Sequence, residues 1–146
     1  MIDNFRDFIL EGKYYEAKQY AKNLSIDELD GELTEIAFNQ PSISIYTFVI
    51  SLIVEEEKIE LHEIAFDMLV NPLCHIEGAY HSSLYHARRC IDLADQSMIA
   101  EYLSHLLFLH DVPDKVVSKT EAIATANKIL EMDPNSEIAK EFIERH

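Results

Sequence analysis

Glycine and proline are scarce in this chain, three and four among 146 residues, which leaves few places for the tight turns that a many-stranded sheet needs. Cysteine is scarcer still. Cys74 and Cys90 are too few for a disulfide framework and read as reduced core thiols. Basic residues are also in short supply, 12 against 27 acids, with Arg88-Arg89 the only adjacent pair, so the basic footprint that phosphate recognition requires is missing and no nucleic acid is expected. The longest apolar run, Ile43 to Val54, falls well short of the roughly 20 residues that cross a bilayer, so no membrane is expected either. Met1-Ile-Asp-Asn-Phe-Arg-Asp7 lacks the basic stretch and apolar core of a secretory signal, and the chain is expected to be cytoplasmic. No segment has the EF-hand spacing with its central glycine, and no catalytic motif stands out, so neither a cofactor nor an enzyme is predicted.

What is present is enough apolar material for a core. Hydrophobic residues make up 48% of the chain and charged residues 27%, a globular balance that points to one helical domain over 1–146. Caps and breakers divide it into about eight or nine helices. Asp3 to Leu10 and Tyr14 to Leu24 form a hairpin bent at Gly12-Lys13, and Ser25 with Glu28 three places on is a capping box that opens a helix running to Phe38. In the segment 43–54, Ser44, Thr47 and Ser51 fall on one helical stripe, which decides for a helix over a strand and predicts the central, most buried one. Ile59 to Val70 follows, with Leu61, Ile64, Ala65, Met68 and Leu69 as its buried face. Ala79 to Ala94, Gln96 to His110, Asp114 to Met132 and Ser136 to Arg145 complete the series, and nothing requires a sheet.

One stretch carries a resemblance. Lys119-Thr-Glu-Ala122-Ile-Ala-Thr-Ala126-Asn-Lys-Ile129-Leu-Glu-Met-Asp133-Pro134-Asn-Ser136 reads as a helix, a proline turn and the start of a further helix. It resembles the end of a tetratricopeptide repeat, where small residues let paired helices approach and a proline precedes the next repeat. Ala17-Ala21-Leu24 and Ala87-Ile91-Ala94 show the same spacing; Ala17 lies 70 positions before Ala87, which lies 35 before Ala122, against a family period of about 34. The register fails near Leu52 and Glu56, and His110 and Pro113 replace the expected first-helix residues of the last unit. The resemblance implies an all-α fold of stacked antiparallel helix pairs, a tetratricopeptide-like superhelix. It also implies a non-enzymatic module that binds a protein or peptide, with no groove residue carried over.

Acidic charge is concentrated. Between Asn23 and Asn71 eleven acids face Lys58 alone, a balance of −10 out of the chain's −15. Glu28, Glu32 and Glu35 share one helical face and Glu60, Glu63 and Asp67 another, an arrangement that costs a few tenths of a kcal/mol per like-charged pair. This band reads either as a solubilising face or as a docking surface for a basic partner. The docking reading also admits a small acidic inhibitor, of immunity type, that covers a basic surface. Cys74, His75, His81, His86 and Cys90 lie close in sequence, and His86 and Cys90 stand one turn apart, but without a close cysteine pair they read as packing groups and no metal site is predicted. Phe142 and Ile143 on the last helix would either cap the stack or join two chains, leaving monomer and homodimer open.

Overall fold

The computed structural model describes residues 2–146, with side chains from residue 4 onward. Among the described residues all regular structure is helical, nine helices and no strand. No helix is long and apolar enough to cross a membrane. The chain forms two compact units, Met1–Ala79 and Tyr80–His146.

The first unit holds α1 (Ile2–Leu10), α2 (Tyr14–Ala21), α3 (Ile26–Asn39), α4 (Ile43–Glu55) and α5 (Ile59–Val70). The hairpin between α1 and α2 turns at Gly12, whose φ of 76° is the left-handed conformation that glycine reaches without a Cβ penalty. There the Lys13 N–H donates to the Phe8 carbonyl at 2.7 Å and the Gly12 N–H to that of Ile9 at 3.1 Å, the two bonds of a Schellman close. The predicted capping box opens α3: the Glu28 N–H donates to Ser25 Oγ at 3.1 Å, and the Ser25 N–H to Glu28 Oε1 at 2.9 Å. α4 packs against α1, α3 and α5, and α3 also packs against α5. Phe5, Ile9, Leu33, Ile45, Phe48 and Val49 fill the space between them with no exposed surface.

The expectation that α4 is the most buried helix is corrected. α4 buries Ile45, Phe48 and Val49, whereas α5 buries Leu61, His62, Ile64, Ala65, Phe66, Met68 and Leu69. Three helices pack on α4, yet several of its apolar side chains are only half-buried, and a stripe of Ile43, Thr47 and Val54 faces solvent. Val54 and Ile43 are left exposed. Two hydroxyls of its polar stripe bond within the helix, Thr47 Oγ1 donating to the Ile43 carbonyl at 3.0 Å and Ser51 Oγ to that of Phe48 at 2.6 Å. The bounds and apolar face read for α5 agree with the structure; His62, fully buried with Nε2 2.8 Å from Glu57 Oε2, was not foreseen.

The second unit holds α6 (Ala79–Leu93), α7 (Ile99–Asp111), α8 (Lys119–Met132) and α9 (Glu137–Arg145). Two starts fall later than the sequence suggests. Asp95 Oδ1 accepts from Ser97 N–H at 3.0 Å and from its hydroxyl at 2.6 Å, holding a turn that delays α7 to Ile99. α8 begins only where Ser118 Oγ accepts from the Glu121 N–H, because 112–118 is a loop that buries Val117. α8 packs against both α7 and α9, and α7 against α9. Ala122, Ala126, Leu109 and Phe142 are fully buried between them, so Phe142 serves the core of its own chain.

Candidate functional site

Helix geometry sorts the acidic residues of the first unit. In α3 the buried stripe is Leu29, Leu33, Ile36 and Ala37, and at 3.6 residues per turn Glu28, Glu32 and Glu35 flank it on one shoulder while Asp30 flanks it on the other. The first shoulder faces α2. Tyr20 donates its hydroxyl proton to Glu32 Oε1 at 3.0 Å and stacks on Phe5 with ring centroids 4.6 Å apart. Its own ionisation is pushed upward, chiefly by the bond to Glu32, then by burial and the charges of Glu32 and Glu28. Glu32 Oε2 is shielded from solvent and has no hydrogen-bond partner among the described residues. Glu28 is held below the usual carboxylate range by its bonds to Ser25, so its charge is tied to capping α3.

The second shoulder faces α5. There Asp67 has its pKa raised to about 6, first by desolvation and then by the charges of Asp30 and Glu63. The structure therefore groups Glu63 and Asp67 with Asp30, and Glu28 and Glu32 with Tyr20. Glu35 shares the Glu28 shoulder and is exposed; Glu60 is exposed in the first turn of α5. Asp30 was outside the residues singled out from sequence. Its position on the opposite side of the stripe from Glu28 was the signal that could have found it.

This cluster has a measurable consequence for stability. Asp67 binds its proton more tightly in the folded chain than at the ordinary value of 3.8, so the folded state is favoured at low pH and loses stability as pH rises from 3.8 to about 6. Asp67 keeps solvent access, which screens the effect and reduces it to about 1 kcal/mol. Asp67→Asn should therefore be more stable than the parent at neutral pH by that amount and equal to it near pH 4, as read from urea midpoints. Equal midpoints at neutral pH would show that neither desolvation nor the neighbouring carboxylates penalise the charged form of Asp67.

In the second unit Arg88 and Glu121 form a fork, Nη1 to Oε2 at 2.8 Å and Nη2 to Oε1 at 3.0 Å, linking α6 to α8. The guanidinium holds Glu121 below its usual range. Beside them is a shallow cavity of about 350 Å³ that is walled also by Leu103, Leu106 and Lys128. In the first unit a cavity of about 320 Å³ lies where α2 ends and α5 begins, edged by the Lys18–Glu55 ion pair at 2.9 Å. Both have ordinary surface chemistry, with opposite charges already paired across them. His86 and Cys90 are buried in α6, where the His86 ring meets that of Tyr85 with centroids 5.0 Å apart. His105 in α7 is held below its ordinary pKa by burial, with Glu101 acting in the opposite sense.

Comparison with known protein families, with curated proteins and with solved structures finds no match.

Proposed function

We propose that this chain is a non-enzymatic protein-interaction module of tetratricopeptide-like helix pairs, and that the first unit docks a basic segment of a protein partner on the Asp30, Glu63 and Asp67 shoulder. The observation that carries the reading is the meeting of Asp30 on α3 with Glu63 and Asp67 on α5: the charges of the first two add to desolvation in raising the pKa of Asp67, and a lysine or arginine from a partner would offset the part that comes from those charges. The helix-pair part is supported by Ala17 in the α1/α2 hairpin and Ala122 in the α7/α8 pair, both without exposed surface. Glu28 and Glu32 are less suited to direct contact, since one caps α3 and the other holds Tyr20.

A fluorescent lysine-rich peptide is the probe. Its binding, followed by anisotropy, should weaken with salt, and Glu63→Lys with Asp67→Lys should raise Kd about tenfold or more, equivalent to about 1.4 kcal/mol. Glu137→Lys with Glu141→Lys, which changes net charge equally on the exposed side of α9, is the control. Equal weakening by both pairs would reduce the effect to overall charge and remove the proposed surface.

A further inference from the structure

At one end of the second unit, nitrogen and oxygen donors converge from residues far apart in the chain. His110 and Asp111 close α7, His146 follows α9, and one ligand atom from each lies within 4.8 Å of the others. The His110 ring is buried, with Nδ1 2.9 Å from the Val117 carbonyl oxygen. A carbonyl only accepts, so Nδ1 carries the proton, and in the neutral ring Nε2 keeps its lone pair. A backbone carbonyl on the far nitrogen is the contact that orients imidazoles toward metal ions. Phe142 packs against both rings, edge-on to His110 at 5.7 Å and tilted over His146 at 4.3 Å between centroids.

His146 Nε2 stands 3.0 Å from Asp111 Oδ1. Two donors on one tetrahedral zinc ion, each bonded at 2.0–2.1 Å, are about 3.3 Å apart, so an ion can take the place of the proton that these two atoms share. We propose that His110, Asp111 and His146 bind a transition-metal dication, zinc foremost, through two imidazole nitrogens and one carboxylate, with water completing the coordination. This donor set suits zinc or its neighbours better than magnesium or calcium, which take oxygen ligands.

Two cations border the site. Arg145 Nη1 is 3.3 Å from Asp111 Oδ2, and Lys115 Nζ is 3.4 Å from the His110 carbonyl oxygen. The Arg145 side chain, 60% exposed and resting over the Phe142 ring at 6.0 Å, competes with the ion for Asp111. The bound ion clasps the end of α9 to the end of α7, and because the unfolded chain lacks this constellation, binding stabilises the fold.

The test is a calorimetric titration of the untagged chain with zinc chloride, beside thermal melts with and without zinc. One equivalent should bind and raise Tm. His146→Ala and Asp111→Asn, each checked for an intact metal-free melt, should weaken binding by at least about tenfold, and Arg145→Gln should tighten it. Cys74→Ala with Cys90→Ala should leave it unchanged. Absence of zinc binding, binding that survives both His146→Ala and Asp111→Asn, or binding lost with the cysteines would each overturn the assignment.

Discussion

Phe48→Ala should destabilise the chain by about 3–5 kcal/mol, the range for deleting a buried aromatic ring and leaving a cavity. Phe48 has no exposed surface and stands between α1, α2 and α4, with the Phe5 ring edge-on at 5.8 Å and the Tyr14 ring at 5.4 Å. The Tyr14 hydroxyl donates to the Ser44 carbonyl at 2.6 Å, which pins the neighbours and limits how far they can collapse into the space. Against a typical domain stability of 5–15 kcal/mol, the loss takes away a large share of what holds the first unit together. Denaturant midpoints and amide exchange in α1 and α4 would read it. Val54→Ala on the same helix, at a position 80% exposed, should stay within about 0.5 kcal/mol. A Phe48→Ala chain within that same margin would contradict the packing described for this core.

Ala122→Leu is the complementary experiment, one of excess volume. Ala122 and Ala126 lie one turn apart on α8, both with no exposed surface, and α8 is pressed between α7 and α9. A leucine there has no space to enter, and overpacking of this kind costs about 1–3 kcal/mol. Ala124→Leu, on the exposed side of the same helix, keeps almost the same helix propensity and should be nearly neutral. Comparing the two separates close helix approach from any intrinsic preference of α8. A neutral Ala122→Leu would remove the physical basis of the tetratricopeptide resemblance, because that resemblance rests on small residues setting the distance between paired helices.

Where prediction and structure agree, the signals are short in range. Ser25 and Glu28 are three residues apart, and their reciprocal bonds form as read. Gly12 turns the first hairpin through bonds spanning five residues or fewer. The two late helix starts are also written locally, that of α7 in Asp95 and Ser97 and that of α8 in Ser118 and Glu121, where Pro113 is the more conspicuous breaker. The misjudged burial of α4 has a different origin. Composition reports how apolar a segment is, while burial depends on which of its faces meets the core; α5 turns seven side chains inward, whereas Ile43 and Val54 lie on the stripe of α4 left in solvent.

The candidate sites divide in the same way. That Glu28, Glu32 and Glu35 share a face follows from the helical repeat alone, and so does the pairing of Glu63 with Asp67. Which shoulder of α3 meets α2 and which meets α5 is set by the rotation of that helix about its axis, and it brings Asp30 to Asp67 while turning Glu32 to Tyr20. His146 reaches Asp111 in the same manner, across a span no periodicity covers. Helical class, hairpin turn and cap chemistry were thus determined by the sequence itself, since backbone amides are satisfied by groups within a few residues. The grouping of the acidic side chains, and of Asp111 with His110 and His146, was decided only by tertiary packing, since it depends on the angle at which each buried stripe meets its neighbour.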